Sequence, residues 1–262
     1  MYYSEEIKKI RMINRERNRG LTELIDIHTH ITPNVDDGSY SIEMSLEMLR
    51  NEVVQGGSKI FLTPHSFAFE TKRPEDVYVK MRKVQERAAA EGIPLQIYQG
   101  CEIYTYRDKM GRILQDLQSG KTPSMNGTRY VMAEFDLHKG DIEDAKYCLG
   151  RYLEEGWIPI IAHAERYCWT FASAENIRIL KDMGCLVQVN YYDLDEESND
   201  DIRTCAQNLL KAELVDMMGS DAHRSSHRPP KLVRGTRYIR DNCRAEYAED
   251  ILWRNAEKYL KA

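Results

Sequence analysis

The chain has 262 residues, 42% of them hydrophobic and 30% charged, a balance typical of a globular protein with a sizeable core. Its net charge of −5 argues against a dedicated nucleic-acid-binding protein. No apolar run approaches the roughly 20 residues of a membrane span, and the polar N-terminus has no apolar core of the kind that a signal peptide needs. The six scattered cysteines contain no C-x-x-C pair, so we expect reduced thiols and a cytoplasmic protein.

Short apolar runs alternate with amphipathic segments along the chain. Strands are predicted at 23–30, 59–65, 95–103, 129–136, 157–165, 185–192 and 214–223. Helices are predicted between and after them, at 41–55, 75–91, 142–155, 174–183, 200–212, 230–242 and 245–260. This alternation indicates a parallel α/β fold. We expect an N-terminal extension at 1–20 and a single domain at 21–262.

The polar residues at the strand ends help to decide between the two forms of a parallel α/β fold, an open doubly wound sheet and a closed barrel. A site in an open doubly wound sheet draws on two or three strand ends, whereas a barrel site draws on the carboxyl ends of many strands. Six of the predicted strands deliver imidazoles or carboxylates to one end of the domain, which favours a barrel. The histidines are His28, His30, His65, His163 and His223, and the acids are Asp37, Glu102, Glu134 and Asp221.

The spacing of these residues indicates a metal site. Residues two apart in a strand point to the same face, so His28 and His30 aim into one site, and the segment "GSDAH" repeats this with Asp221 and His223. In "NVDDG", Gly38 allows a tight turn, one aspartate reaches the site, and its neighbour is expected to cap the helix beginning near Ser41.

The ligand types predict the ions and the substrate charge. Imidazole and carboxylate ligands without cysteine favour Mn, Fe or Zn, and nine ligands suit two or three ions with one bridging carboxylate. Three divalent ions among four carboxylates leave about +2, so the site attracts an anion, most naturally a phosphate. Arg166 and Arg228 lie beside ligands and would bind phosphate oxygens bidentately.

The motifs "DIHTH…DDG", "TPH", "GCEIY", "NGTRYVMAEF", "IIAHAERY" and "GSDAHR" run in this order from about residue 24 to 260. In them the chain resembles the polymerase-and-histidinol-phosphatase superfamily, and within it the metal-dependent tyrosine-protein phosphatases of bacterial capsule and exopolysaccharide loci. The chain departs from the usual "HPERY" by having Ala164 in place of the proline.

The resemblance implies a distorted seven-stranded barrel with three ions, usually manganese. One ion would be held by His28, His30, Glu102 and Asp221, a second by Asp37, His65 and His223, and a third by Glu102, Glu134 and His163. Arg166 and Arg228 would grip the phosphate, and Asp37 is the candidate proton donor to the leaving group. The implied substrate is a phosphotyrosine protein, the tyrosine-rich tail of a capsule-regulating tyrosine kinase.

Several alternatives stay open at this stage. The same metals could hydrolyse another phosphoester, such as histidinol phosphate or the phosphate at a nucleic-acid end. For histidinol phosphate, the acidic run 193–201 would hold the substrate's amine; otherwise this run is a solvated loop and helix cap. A metal-binding module without catalysis is a second alternative.

The segment "CEIYTYR" also matches the C-x5-R signature of cysteine-based phosphatases, with Cys101 and Arg107 in the key positions. Its bulky residues argue against a phosphate-binding loop, and Glu102 argues against a low thiol pKa.

The aromatic residues expected at the mouth of the site, where they would receive a substrate ring or pack as core and rim, are Tyr40, Phe67, Phe69 and Tyr167.

Overall fold

A computed structural model describes residues 24–71 and 73–262 of the protein. The extension predicted at 1–20 lies outside these residues, and the single domain at 21–262 stays a prediction. The described residues contain eight strands in two parallel sheets, which confirms the parallel α/β class. The first sheet has the order β1 (Leu24–Asp26), β2 (Gly57–Leu62), β3 (Gln96–Gln99), and the second runs β4 (Glu102–Tyr104), β5 (Tyr130–Glu134), β6 (Ile158–Ile161), β7 (Leu186–Asn190), β8 (Met217–Gly219).

Helices follow the strands and cover the sheets. They are α1 (Ile42–Val54), α2 (Phe67–Thr71), α3 (Pro74–Ala90), α4 (Met110–Gln118), α5 (Ile142–Glu154), α6 (Cys168–Ala172), α7 (Ala174–Asp182), α8 (Asp200–Lys211), α9 (Val233–Asn242), α10 (Ala245–Glu249) and α11 (Asn255–Leu260). A π-helical turn, Asp250–Arg254, joins α10 to α11, and short 3-10 turns occur at Arg107–Lys109, Met125–Gly127, Ala164–Arg166 and Tyr192–Leu194. All seven predicted helical segments are present, whereas α2, α4 and α6 were not predicted.

The strand predicted at 95–103 is interrupted, which explains why there are eight strands rather than seven. Gly100 N–H donates to the carbonyl of Leu62 (2.9 Å), and in a parallel ladder residue 64 would return a hydrogen bond to the carbonyl of Gly100. Residue 64 is a proline and has no N–H, so the ladder breaks there and resumes at Glu102, whose N–H donates to the Pro64 carbonyl (3.1 Å).

The regular ladders do not form one closed ring, so the predicted seven-stranded closed barrel is not confirmed. At the two gaps, isolated parallel bridges connect the sheets: His65 with Glu102, and Thr29 with Ala222. The second bridge uses the N–H of His30 to the carbonyl of Ala222 and the N–H of Asp221 to the carbonyl of His28, both 2.8 Å. Candidate ligands therefore sit at both places where the regular pairing fails.

The strands are buried on both faces. Val131 and Ala133 of β5 belong to the larger apolar cluster, whereas Met132 between them belongs to a smaller cluster that includes Leu260 of α11. Polar contacts place α11 at the starts of the strands, because Asn255 Nδ2 donates to the carbonyl of Asp216 just before β8 (2.9 Å). The opposite end of the sheets, beyond their carboxyl ends, is left for polar side chains.

Across the described ranges, no helix is both long and apolar enough to cross a membrane.

Two helical glycines provide a test of the packing around α9. A Cβ at Gly235 would lie 2.4 Å from the carbonyl oxygen of Tyr191, whereas a Cβ at Gly150 of α5 would meet nothing closer than Met183 Cε at 3.9 Å. Alanine normally stabilises a helix interior relative to glycine, so Gly150→Ala should raise the free energy of unfolding by about 0.5–1 kcal/mol. Gly235→Ala should lower it by about 1–3 kcal/mol because α9 must move.

Urea unfolding of both variants at equal metal loading measures the difference. If both alanines stabilise the protein equally, then the contact between α9 and the Tyr191 backbone is not a constraint.

Candidate metal centre

The nine side chains predicted as ligands come together at one end of the sheets. His28 and His30 follow β1, Asp37 lies in the loop before α1, His65 follows β2, Glu102 begins β4, Glu134 ends β5, His163 follows β6, and Asp221 and His223 follow β8. Asp37 has a side chain that is 60% exposed, whereas the other eight are buried or nearly so. The structure thus brings together all nine residues, and Asp37 lies at the solvent side.

Glu102 is the centre of the cluster. Its side chain is 1% exposed and contacts ring nitrogens of four histidines. Oε1 lies 3.2 Å from Nε2 of His28 and 3.0 Å from Nε2 of His163. Oε2 lies 3.2 Å from Nε2 of His30 and 2.9 Å from Nδ1 of His65. A carboxylate so placed can bridge cations.

Three groups of donor atoms are compact enough to hold an ion, each with all its atoms within 4.8 Å of one another. They are His28, His30 and Asp221; His30, Asp37, His65 and His223; and His65, Glu102 and Glu134. The first two groups resemble the sets that the family resemblance implies, with His30 added to the second. In the third, His65 takes the place expected for His163, whose Nε2 nevertheless lies 3.6 Å from Glu134 Oε1.

In the cluster, the carboxylates and the imidazoles stabilise each other's charged forms. Burial disfavours the ionised form of Glu102, but His28 and His65 and a hydrogen bond from His163 hold its pKa well below its usual range. Burial likewise lowers the pKa of His65 and His163, yet their contacts with Glu102 and Glu134 raise both to about 10. The site is therefore organised to hold positive charge next to its buried carboxylates.

Two members of the cluster have left-handed backbone conformations. The φ angles are 30° for His163 and 54° for Asp221, in a region that residues with a Cβ adopt at a cost. The surrounding structure holds them there: His163 N–H donates to Gln188 Oε1 (2.8 Å), and Asp221 N–H donates to the carbonyl of His28. These turns direct both side chains inward.

Asp36 orients two candidate ligands, a role that the sequence did not reveal. Its Oδ2 lies 2.9 Å from Nδ1 of His30 and accepts from the N–H of His65 (3.1 Å), and its Oδ1 accepts from Gly38 N–H (3.0 Å). The expectation that Asp36 caps α1 is wrong, because the side chain of Ser41 itself accepts from Met44 N–H. A carboxylate behind a ligating histidine fixes its ring and tautomer.

Gln188 and Asp26 complete this supporting layer. Gln188 is fully buried in β7, and its Oε1 contacts His28 Nδ1 (3.1 Å) as well as the His163 backbone. Asp26 Oδ1 accepts from the N–H groups of His28 (3.1 Å) and Ser220 (2.8 Å), which ties the two ligand-bearing segments together. The sequence signal for Gln188 was one of two amides, the other being Asn190, in an otherwise apolar strand.

Both arginines contact Asp221 at the edge of the cluster. Asp221 Oδ2 accepts from Arg166 Nη1 (3.1 Å) and from Arg228 Nη2, while Oδ1 faces the histidines. Arg166 is also held by Asp193 through Nε (2.6 Å), and Asp193 in turn accepts from Ser198 Oγ (3.0 Å). Both guanidinium groups are therefore fixed beside the candidate metal positions.

Asp193 was missed in the sequence because it belongs to an acidic run expected to be either an amine pocket or a solvated loop and helix cap. Asp193 and Asp195 are buried and paired with Arg166 and Arg234, respectively. The rest of the run is largely exposed, and Asn199 caps α8.

The structure separates the two residues of the C-x5-R match. Cys101 is 1% exposed and belongs to the larger apolar core, and burial together with Glu102 raises its thiol pKa well above the usual value. Arg107 is on the surface, where Nη1 pairs with Asp144 (2.7 Å). These positions cannot form a phosphate-binding cysteine loop.

Only two of the four aromatic residues expected at the mouth are accessible. Tyr40 is 65% exposed and Phe67 43% exposed. Phe69 and Tyr167 are fully buried, so for these two the core-packing alternative holds: Phe69 of α2 packs in the larger apolar core, and the Tyr167 hydroxyl accepts from the N–H of Phe135 (3.1 Å).

The chain is similar in sequence to named bacterial proteins. CpsB from Streptococcus pneumoniae, a tyrosine-protein phosphatase, is 31% identical over 243 residues, which cover 90% of this chain and 98% of CpsB. The tyrosine-protein phosphatase YwqE from Bacillus subtilis is 31% identical over 209 residues, covering 76% of this chain and 77% of YwqE.

Among solved structures, the crystallographic work on YwqE from B. subtilis and CpsB from S. pneumoniae, described as metal-dependent tyrosine phosphatases, contains a chain that matches with a TM-score of 0.82. That match has 29% identity and covers 91% of this chain and 94% of the other. The family model for capsular polysaccharide synthesis proteins CpsB/CapC matches residues 24–261. The protein therefore belongs to the CpsB/CapC family.

Proposed function

We propose that this protein is a metal-dependent phosphomonoesterase that hydrolyses protein phosphotyrosine. The observation that carries the proposal is the junction at Asp221, where one carboxylate oxygen faces three candidate ligand histidines and the other accepts from two arginines. An anion bound there would contact cations and guanidinium groups at once, as a phosphate requires. Relatives named tyrosine-protein phosphatases support the choice of phosphotyrosine.

We infer that three divalent ions, most naturally manganese with iron or zinc as alternatives, occupy the cluster. The donor set supports this, because it combines imidazole nitrogens with carboxylate oxygens and contains no thiol. Within the described part of the chain, Glu134 Oε2 and His163 Nδ1 are also buried without a hydrogen-bond partner. Ions in such a site supply Lewis acidity, which makes water nucleophilic at neutral pH and attracts phosphate oxygens.

The proposed ligand sets are those that the family resemblance implies, with Glu102 as the shared carboxylate; they overlap the three compact groups but use His163 rather than His65 in the third. His28, His30, Glu102 and Asp221 would hold one ion, and His65, Asp37 and His223 the second. The third would be held by Glu102, Glu134 and His163. The proposal treats β3 and β4 as one interrupted strand of a distorted seven-stranded barrel, with the two isolated bridges completing the ring.

The chain's own side chains would orient the ester and stabilise charge. Arg166, held by Asp193, and Arg228 would bind phosphate oxygens as charge builds up on them. A hydrogen bond from His223 lowers the pKa of Asp37, which favours a carboxylate ligand over the proton donor that we considered from the sequence. A phenolate leaving group has a pKa of about 10 and needs less protonation than an alkoxide.

The physiological partner that fits this proposal is a phosphotyrosine protein, specifically the tyrosine-rich tail of a bacterial tyrosine kinase. The family's role in capsular polysaccharide synthesis supports this choice. A reducing cytoplasm is the proposed location, since all six cysteines are unpaired thiols.

Histidinol phosphate is the alternative substrate, and its amine would need a free carboxylate near the site. Asp193 and Asp195 are already paired with arginines, which weakens this alternative. A metal-binding module without catalysis is the other alternative. Turnover that depends on metal and favours a phosphotyrosine peptide over histidinol phosphate would exclude both.

The first prediction concerns metal removal. Because the proposed nucleophile and phosphate site both depend on divalent ions, chelation should abolish hydrolysis of a phosphotyrosine peptide, and added Mn²⁺ should restore it best. The measurement is phosphate release from stripped and reloaded protein. Full activity in a protein shown to be metal-free would refute the mechanism.

The second prediction concerns Asp36. Asp36→Asn should weaken Mn²⁺ binding by about 10- to 100-fold, because the amide holds the His30 ring less firmly in its ligating tautomer. Calorimetric titration of the stripped protein measures this. The matched control is Asp136→Asn, since Asp136 also follows a strand and accepts two backbone N–H groups but has no recorded contact with a candidate ligand among the described residues.

Unchanged Mn²⁺ affinity in Asp36→Asn, at an unfolding temperature equal to that of the control, would show that this carboxylate does not support the site.

The third prediction separates two neighbours. Cys101→Ser should leave turnover within about a few-fold of normal, because the thiol is buried in the core with a raised pKa. Glu102→Gln removes the charge shared by four histidines, so turnover and bound metal should fall by more than the roughly 10- to 100-fold typical of losing an outer partner. An inactive Cys101→Ser beside an active Glu102→Gln would restore the cysteine mechanism.

A further inference from the structure

Phe67 is an exposed aromatic side chain in direct contact with the candidate metal centre. Its ring is 43% exposed and stacks on the imidazole of His65, with 5.4 Å between centroids and 26° between planes. The His65 ring also lies near the rings of His30, at 4.5 Å, and His223, at 6.2 Å. Among the described residues, Phe67 is the one exposed aromatic side chain whose ring stacks against a candidate ligand.

The backbone around Phe67 is held firmly. Ser66 N–H donates to the carbonyl of Glu102 (2.8 Å), and Ser66 Oγ accepts from the N–H of Tyr104 (3.2 Å). Ala68 and Phe69, which follow in α2, are fully buried. The ring of Phe67 is therefore presented to solvent from an ordered platform, and a ligand that contacts it need not order a loop first.

Because Phe67 stacks on His65, the position of His65 in the cluster determines how close the Phe67 ring lies to a bound phosphate. His65 belongs to two of the three compact donor groups, and its Nε2 lies 3.5 Å from the solvent-facing Asp37. A phosphate bound at these groups has its ester oxygen directed outward, because the other sides are closed by buried ligands. The first ring atom of an aryl ester would be one bond beyond that oxygen, on the solvent side of the cluster, where the exposed Phe67 ring stacks on His65.

We propose that Phe67 is a specificity-determining residue that receives the aryl ring of phosphotyrosine in an offset or edge-to-face contact. This inference rests on the proposed phosphatase function and deepens it, because it identifies the group that distinguishes an aryl from an alkyl phosphate. Ring pairs of this type form at centroid distances of about 4.5–7 Å. Phosphoserine has no ring and gains nothing from the contact.

The chain offers a matched control in Phe171. It is 44% exposed and also lies on a short helix, but it faces a shallow pocket formed with Asp201 and Asn208 of α8. Phe67→Leu keeps apolar bulk without a ring, and Phe67→Tyr keeps the ring.

The first experiment measures kcat and KM of the manganese-loaded enzyme on one peptide carrying either phosphotyrosine or phosphoserine. Phe67→Ala should raise KM for the phosphotyrosine peptide about 2- to 12-fold, as expected for losing an aromatic pair, and leave the phosphoserine values unchanged. Phe67→Leu should behave like Phe67→Ala, whereas Phe67→Tyr and Phe171→Ala should match the wild type.

The second experiment measures binding without turnover. Benzylphosphonate and ethylphosphonate are inert probes that differ in the ring, and calorimetry gives their Kd values. Phe67→Ala should weaken benzylphosphonate about 2- to 12-fold and leave ethylphosphonate and the bound metal unchanged. Equal weakening of both probes, loss of metal, or an unchanged preference for benzylphosphonate would each overturn the inference.

The two proposals fail in different ways. A wild-type enzyme that hydrolyses the phosphoserine peptide as fast as the phosphotyrosine peptide would refute the proposed phosphotyrosine specificity. A wild type that prefers phosphotyrosine, with the same preference in Phe67→Ala, would refute only the role of Phe67.

Discussion

The buried carboxylate of Glu102 is the constraint on which the rest of the site depends. An ionised carboxylate removed from water costs several kcal/mol unless positive charge or hydrogen bonds surround it. Four imidazoles, arriving from three different strand ends, meet that need at 2.9–3.2 Å. Strand order, the turns with left-handed backbone and the supporting Asp36 and Gln188 all serve to bring those rings to one point.

The irregular parts of the sheets are the parts that carry the chemistry. Pro64 interrupts the ladder next to His65, and the isolated bridges between the sheets involve Glu102 and the residues around His28 and Asp221. A strand in a regular ladder directs alternate side chains into the core or toward the helices. Where the ladder stops, the chain is free to turn its side chains into a shared polar space, and the local cost is met by hydrogen bonds to Asp26 and Gln188.

Much of this was readable in the sequence because it rests on local rules. The shared direction of His28 and His30 and the burial of Cys101 beside Glu102 follow from the two-residue period of a strand, and the acids and histidines at the ends of the apolar strands are visible directly. The roles of Asp36, Asp193 and Gln188 were not readable, since each depends on partners brought close only by the fold. The split of the strand at 95–103 had a visible cause in Pro64, but its effect falls on a segment more than thirty residues away. Phe69 and Tyr167 look identical in sequence to exposed aromatics, and only packing distinguishes them.

The hydrogen bond between Asp26 and Ser220 also has a consequence for how the chain folds during synthesis. These residues are 194 positions apart, and they join the segments that carry His28 and Asp221. A chain emerging from the ribosome cannot form this contact until Ser220 has been synthesised, and pairings of such long range form slowly. His28 and His30 are therefore synthesised long before Asp221 and His223, with which they share the cluster. The complete set of candidate ligands, which includes Asp221 and His223, is therefore assembled only when the last strand pairs with the first.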